Sequence, residues 1–149
     1  MRDVSKKWFE TIVRCDRIME SGEMKKVNET YAVDALTFGE AEENITREMS
    51  HYISGDFDIK NINPEPYSEI FFSDKETDDK YYRVKLSFIT INERTQKEKK
   101  SKVTYLVQAN SLEQARKNTE DVMNGTMIDY EFVSVTETKI MDVFEKQSK

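Results

Sequence analysis

A lysine-rich stretch contains the residues of this sequence that could most readily do chemistry. The segment QKEKKSK, at residues 96–102, holds four lysines. Ammonium groups at this density can neutralise phosphate, and aromatic rings on neighbouring strands can stack on unpaired bases, which is a common way to bind single-stranded nucleic acid. The candidate nucleic-acid-binding residues are Lys97, Lys99, Lys100, Lys102, Arg83, Lys25, Lys26, Tyr82, Tyr105 and Trp8.

A structural interpretation of the same residues competes with this one. The aromatic residues could form a core, and the lysines could form a soluble turn that protects a sheet edge. The net charge of −6 provides no global positive field to attract nucleic acid. We favour the structural interpretation, but a Lys-Lys pair at residues 25–26 and again at 99–100 keeps the nucleic-acid alternative open.

The single cysteine and the single histidine are poor candidates for catalysis. Neither Cys15 nor His51 has a second Cys or His with which to build a zinc site or a nucleophile–base pair. Cys15 lies in a predicted strand and faces the same way as Val13, so we expect a small buried side chain. His51 lies near the end of a predicted helix, where a cation is favourable. We therefore expect no catalytic residue here.

Acidic clusters and known motifs give no sign of a metal, cofactor or enzyme. The acidic residues at 40–43 and 74–79 lack the alternating pattern of a calcium-binding loop, so we interpret them as solvated surface. No glycine-rich phosphate loop or nucleophile elbow is present, and the chain has only four glycines. We expect no metal, no cofactor and no enzymatic activity.

Composition favours a globular, cytoplasmic protein. Aromatic residues make up 11% of the 149 residues, which argues against general disorder. The N-terminal residues MRDVSKKWFE have no apolar signal region, and no apolar run approaches the roughly 20 residues of a membrane span. We expect no membrane association.

Two stretches of the chain repeat each other at an offset of 74 residues. Residues 25–44 and 99–118 share eight identities in twenty positions, which predicts a tandem duplication. Upstream, the same offset aligns Trp8 with Tyr82 and Cys15 with Ile89, whereas downstream the offset is 73. The identities are Lys25/Lys99, Lys26/Lys100, Thr30/Thr104, Tyr31/Tyr105, Val33/Val107, Ala35/Ala109, Ala41/Ala115 and Asn44/Asn118.

Each copy has the pattern of a β-β-α-β unit with a possible fourth strand. Alternating apolar residues predict two strands joined by a polar turn, and capping boxes that start at Thr37 and Ser111 each predict a helix. The short segments YSEIFF and KIMDVF could each add a strand. The pattern predicts an α+β fold: a tandem duplication of a β-β-α-β(β) unit, with an antiparallel sheet, helices on one face and a pseudo-two-fold axis.

The duplication sets the predicted domain boundaries. We assign residues 1–72 to the first repeat, 73–80 to an acidic linker, 81–144 to the second repeat and 145–149 to a disordered tail. A half-covered sheet has open edges, which invites pairing with another chain.

The segments WFE, YAVDALTFGEAE, YISGDFDI, YSEIFF and GTMIDYEFVSVTETKIMDVF carry a family resemblance. The sequence resembles domain of unknown function 4494, a family of Bacteroides-type bacteria and their phages. The resemblance covers nearly the whole chain, and VSVTETKIMDVF is its most specific part. It implies a small cytosolic protein, often carried by phage or mobile elements, and it implies no activity, cofactor or catalytic residue.

Two functional hypotheses follow. The first is a non-enzymatic binding protein of a phage or mobile element, which acts through its sheet surface and edges on a protein partner or on itself. The second is a single-stranded DNA- or RNA-binding accessory of phage replication, which would need an exposed aromatic ring beside the lysines. The sequence does not decide the partner, the oligomeric state, the strand order or whether the two repeats still share one role.

Overall fold

The computed structural model describes residues 7–145, which form eight strands and two helices. The predicted α+β class is confirmed, and the two optional short strands are both present. The elements are β1 (Trp8–Ile18), β2 (Met24–Asp34), α1 (Phe38–Tyr52), β3 (Phe57–Glu65), β4 (Tyr67–Phe71), β5 (Lys80–Ile91), β6 (Glu98–Ala109), α2 (Leu112–Asn124), β7 (Asp129–Glu137) and β8 (Ile140–Phe144).

The strands form two four-stranded sheets. Sheet 1 has the order β3-β1-β2-β8, and sheet 2 has the order β4-β6-β5-β7. The hairpins and the β1–β3 and β5–β7 pairs are antiparallel, but β8 runs parallel to β2 and β4 runs parallel to β6. The predicted antiparallel pairing is therefore confirmed for three strands of each sheet, whereas the fourth strand pairs in parallel at one edge.

The chain divides into two compact units that do not coincide with the sequence repeats. Unit 1 contains the described residues 7–66 and 139–145, and unit 2 contains residues 67–138. Each unit takes its fourth strand from the other repeat, since β4 is the last strand of the first repeat and β8 is the last strand of the second. The predicted disordered tail lies outside the described residues from position 146 onward.

The strand register corrects the sequence alignment of the first strands by one residue. Trp8 lies opposite Asp34 in sheet 1, and Tyr81 lies opposite Gln108 in sheet 2. Because Asp34 and Gln108 are 74 positions apart, the counterpart of Trp8 is Tyr81 and not Tyr82.

The hairpin loops explain this shift. The first loop spans residues 19–23 and the second spans residues 92–97, which is one residue longer. The extra residue changes the offset from 73 before the loop to 74 after it. The counterpart of Cys15 is therefore Phe88 and not Ile89.

The core of unit 1 lies between α1 and one face of sheet 1. Alternate residues of β1 and β2 face the helix because successive strand side chains point to opposite faces. Ala41, Ile45 and Met49 recur at helical spacing and are almost fully buried against this face. The buried residues of this core are Phe9, Val13, Cys15, Tyr31, Val33, Ala35, Ala41, Ile45, Met49 and Ile53.

The core of unit 2 repeats this arrangement between α2 and sheet 2. Val84 and Leu86 of β5 and Val107 of β6 pack with Met123 of α2. The adjoining cluster contains Tyr82, Ala109 and Ala115.

The helices begin as the capping patterns predict. The Thr37 hydroxyl accepts a hydrogen bond from the Glu40 backbone N–H at 3.1 Å, and the Ser111 hydroxyl accepts one from the Gln114 backbone N–H at 3.1 Å. Gln114 uses its side-chain amide to donate to Asn118. Neither helix is long and apolar enough to cross a membrane, within the residues that the structure describes.

An equivalent amide anchors each helix to its sheet. The Asn44 side chain donates to the Asp34 carbonyl at 2.9 Å, and the Asn118 side chain donates to the Gln108 carbonyl at 3.1 Å. Each bond holds the first turns of a helix over the end of β2 or β6.

Candidate functional site

The lysine-rich hairpin is exposed, but its lysines do not form one surface. Lys99 lies opposite Thr90 and Lys100 lies opposite Ile89 in adjacent pairs of the β5–β6 ladder. Adjacent strand residues point to opposite faces of a sheet, so the Lys-Lys pair is split between two faces. The Lys100 ammonium is 2.9 Å from a Glu131 carboxylate oxygen, and this hydrogen bond raises the pKa of Lys100.

The aromatic residues proposed to stack on bases are not available for stacking. Trp8 is 5% exposed and Tyr82 is 1% exposed. Tyr105 is half-buried, with its ring centroid 5.0 Å from that of Phe71 and 6.4 Å from that of Phe88. Base stacking needs an open ring face, which these three residues do not offer in this structure.

The other basic candidates already have partners or lie in the other unit. Arg83 is half-buried and donates to the Tyr67 hydroxyl at 3.1 Å. The Lys26 ammonium is 3.5 Å from an Asp16 carboxylate oxygen. Lys25 and Lys26 belong to unit 1, whereas Lys97, Lys99, Lys100 and Lys102 belong to unit 2.

A buried polar network in unit 1 was missed by sequence reasoning. Glu29 of β2 is 8% exposed and lies on the face that α1 covers. Arg17 donates to both carboxylate oxygens of Glu29, from Nε at 2.9 Å and from Nη2 at 2.8 Å. The Tyr31 hydroxyl donates to the same carboxylate at 2.8 Å, and the Cys15 thiol lies 3.8 Å from it.

The electrostatics of this network are those of a structural ion pair. Hydrogen bonds from Arg17 hold the pKa of Glu29 below its usual value, although burial opposes that shift. Burial raises the pKa of Tyr31, and the bond to Glu29 adds to this effect. Burial and the neighbouring Glu29 carboxylate also raise the pKa of the Cys15 thiol. A thiol kept protonated in this way is a weak nucleophile.

The corresponding place in unit 2 is largely apolar. By the observed register, Cys15 corresponds to Phe88 and Glu29 corresponds to Val103. The network therefore belongs to unit 1 alone. Arg17 and Glu29 carry opposite charges and lie on the same inward-facing side of the hairpin, four positions apart along the ladder, and the register of the hairpin was needed to see this.

Strand β7 forms an open edge of sheet 2. Strand β7 pairs with β5 on one side, and no other described strand pairs with it. Between Lys85 and Leu86 the register shifts, so that Val133 is the extra residue of a β-bulge. Val133 is 55% exposed.

Strand β3 forms the matching edge of sheet 1, with a bulge at the equivalent position. Here the extra residue is Lys60, which lies 73 positions before Val133. β3 also contains Pro64. Lysine and proline on an edge strand discourage pairing with another strand, and β7 has neither residue.

An open groove of about 380 Å³ lies beside β7, between this strand and the start of α2. Leu112 at its rim is 52% exposed. The Arg116 guanidinium lies 4.4 Å from the centroid of the Phe132 ring and forms one wall. The groove is lined by Leu112, Glu113, Arg116, Phe132, Val133, Ser134 and Val135.

The acidic residues do not assemble into a metal site. Within residues 7–145, no group of three or more His, Cys, Asp or Glu side chains could hold a metal ion. The interpretation of residues 74–79 as fully solvated is wrong for Asp78, which is 2% exposed and accepts a hydrogen bond from the Ser73 hydroxyl at 2.5 Å. His51 is exposed in the last turn of α1.

Comparison with known proteins gives one match. Residues 7–146 match the model of a family described as a domain of unknown function, DUF4494. No curated protein and no solved structure matches the chain.

Proposed function

The chain belongs to the DUF4494 family, and we propose that it is a non-enzymatic binding protein whose edge strand β7 receives an extended segment of a protein partner. The observation that carries the proposal is the edge of β7, which no other described strand covers, which has neither lysine nor proline, and which lies beside the α2–β7 groove. An added strand would gain main-chain hydrogen bonds from the free edge, and pockets beside the edge would select its side chains.

The groove supports this mode of binding. Leu112 and Val133 are both more than half exposed, and they line the groove together with Phe132. An apolar side chain of the incoming segment would cover these surfaces, and its burial would contribute about 25 cal/mol for each Å² removed from water. Arg116, held over Phe132, and Glu113 would contact the polar side chains of the segment.

The contrast with β3 also supports the proposal. Both edges have a bulge at the same place, but β3 carries Lys60 there and β7 carries Val133. We infer that the two edges have diverged, with β3 protected against strand addition and β7 adapted for it.

We also infer that the two units arose by duplication around a pseudo-two-fold axis. Equivalent pairs support this inference: Thr30 lies opposite Ile140 in sheet 1, and Thr104 lies opposite Tyr67 in sheet 2. The bulges and the helix-anchoring asparagines lie at equivalent positions as well. Carriage on a phage or mobile element and a cytoplasmic location stay predictions.

Single-stranded nucleic-acid binding is the second candidate function. The exposure of Lys97, Lys99 and Lys102 supports it. The burial of Trp8 and Tyr82 weakens it, because the lysines then have no stacking platform beside them.

A peptide selection tests the proposed function. Random seven-residue peptides displayed on phage are selected on the full-length protein and then counter-selected on Val133→Lys, which gives β7 the residue that β3 carries at its bulge. We expect enriched peptides with an extended, alternating apolar pattern, and at least tenfold weaker binding to Val133→Lys.

The matched control is Lys60→Ala at the bulge of β3, which should leave peptide binding unchanged. The proposal would be contradicted if no peptide were enriched, or if the enriched peptides bound Val133→Lys as well as they bind the wild type. Circular dichroism of all variants verifies that each is folded.

A further inference from the structure

The two repeats donate their last strands to each other. β4 follows β3 of the first repeat, but it pairs with β6 of the second. β8 follows β7 of the second repeat, but it pairs with β2 of the first. Each sheet is therefore complete only when both repeats are present.

Each donated strand has a buried first residue in its host sheet. Tyr67 at the start of β4 is 5% exposed, and Ile140 at the start of β8 is 4% exposed. At the other end of each strand, Phe71 contacts Tyr105 and Phe144 stacks on Tyr31. A repeat without its counterpart would expose these apolar side chains and an unpaired edge of β2 or β6.

The segment 72–79 is the covalent connection between the two repeats, since β4 ends at Phe71 and β5 begins at Lys80. If the chain is divided there, each part retains three strands of one sheet, one helix, and the strand that completes the other sheet. The repeats are joined by this segment and by reciprocal strand pairing.

We propose that the two repeats are exchangeable between copies of this chain, and that residues 72–79 are the hinge whose length keeps the native chain in the closed, monomeric form. In the exchanged dimer, the first repeat of each copy pairs with the second repeat of the other. Exchange of identical elements needs no new interface, because the β2–β8 and β4–β6 pairs of the monomer are reproduced between copies. This inference is independent of the proposed binding role of β7.

The hinge segment is held by hydrogen bonds of Ser73, and it buries one carboxylate oxygen that has no hydrogen-bond partner among the described residues. The Ser73 backbone N–H donates to the Gln108 side chain at 2.9 Å, and the Ser73 hydroxyl donates to Asp78 Oδ2. The second oxygen, Oδ1, is buried and has no hydrogen-bond partner among the described residues. Opening the hinge would return this carboxylate to water.

The length of the segment determines which form is favoured. Within one chain, a short flexible linker holds the repeats at a millimolar effective concentration, which favours the closed monomer at micromolar protein. A linker that cannot span its two ends removes this advantage and leaves exchange with a second copy as the route to complete sheets.

The geometry gives the length at which closure fails. Phe71 lies opposite Val107 and Lys80 lies opposite Ala109, with β6 between the two ends. Two strand spacings and a two-residue offset put these ends roughly 12 Å apart. Deletion of residues 73–78 leaves two residues, which reach about 10 Å and must also pass over β6.

The test compares the wild type with two variants of the full chain by size-exclusion chromatography with light scattering. One variant lacks residues 73–78, and the other replaces those six residues with a Gly/Ser sequence of the same length. We expect the wild type and the Gly/Ser variant to be monomers, and the deletion variant to be a dimer with the same far-ultraviolet circular dichroism. Two results would overturn the proposal. The first is a deletion variant that is a folded monomer, and the second is a deletion variant that fails to fold while the Gly/Ser variant folds.

A second measurement does not depend on the deletion. A site-specific protease sequence is placed in the segment 74–77, and the folded protein is cut there. The two parts should remain together, and tagged and untagged preparations mixed after cleavage should yield tagged first repeats bound to untagged second repeats. Parts that separate on cleavage, or that never exchange even after unfolding and refolding together, would also overturn the proposal.

Discussion

Phe144, near the end of the described chain, stacks on Tyr31 of unit 1 with 5.4 Å between the ring centroids. In unit 2, Phe71 makes an edge contact with Tyr105 at 5.0 Å. The two pairs occupy equivalent places, since Phe144 lies opposite Val33 and Phe71 lies opposite Val107. Each aromatic pair fixes the strand that one repeat donates to the other.

Truncation of either ring should destabilise the protein. Phe144→Ala removes the contacts with Tyr31 and with Tyr52, and Phe71→Ala removes those with Tyr105. Because both rings are partly exposed, we expect each variant to lose about 2 kcal/mol of unfolding free energy, less than a fully buried phenylalanine. Urea unfolding measures this, and a variant as stable as the wild type would show that its strand is not required.

The Arg17–Glu29 pair should make stability depend on pH. The folded state lowers the pKa of Glu29, so the pair stabilises the fold above the carboxyl group's usual pKa of 4.5. That contribution is lost as the pH falls through the lowered value. Glu29→Gln should cost about 2–3 kcal/mol at pH 7, because the half-buried Arg17 loses its counter-ion.

Chemical unfolding of the wild type and of Glu29→Gln at pH 7 and at pH 3 measures this dependence. The difference between the two proteins should be smaller at pH 3. Glu131→Gln is the matched control, since Glu131 pairs with exposed Lys100 and its replacement should change stability little at either pH. A difference for Glu29→Gln that does not vary with pH would contradict the assignment.

The Cys15 thiol should be unreactive in the folded protein. Cys15 is 1% exposed, and burial raises its pKa, so its thiolate population at pH 7 is very small. We expect labelling by iodoacetamide at least a hundredfold slower in the native protein than in urea, as measured by mass spectrometry. Rapid labelling of the native protein would instead point to an activated nucleophile.

Nucleic-acid binding should be weak and non-specific. The hairpin lysines lie on both faces of the sheet, and the candidate aromatic residues are buried or half-buried. We expect no saturable binding of labelled single-stranded DNA or RNA at moderate salt, as measured by fluorescence anisotropy. Tight binding that falls steeply with salt, and that Lys99→Glu/Lys102→Glu abolishes, would support the second candidate function instead.

The sequence predicted the local elements well, because local patterns determine them. Alternating apolar residues identified the hairpins, and the hydroxyls of Thr37 and Ser111 identified the helix starts, as the structure confirms. The family resemblance is confirmed over residues 7–146.

The long-range pairing could not be read from the same patterns. A five-residue apolar strand such as β8 fits any open edge, and periodicity does not say which sheet receives it. The one-residue difference between the two hairpin loops was also hidden, because the polar residues of these loops form no periodic pattern that would show an extra residue. The first gap concealed the pairing of β4 and β8 with the sheet of the other repeat. The second concealed which residues of the first strands correspond, such as Trp8 and Tyr81.

Amide hydrogen exchange at residue level shows whether β7 is the edge that receives the peptide. The full-length protein is compared free and saturated with a peptide from the selection. We predict that amides of β7 around Val133 exchange quickly in the free protein and are slowed at least tenfold by the peptide, while β3 and the 92–97 loop are unchanged. Protection confined to β3 or to the lysine-rich hairpin, with β7 unaffected, would show that β7 is not the binding edge.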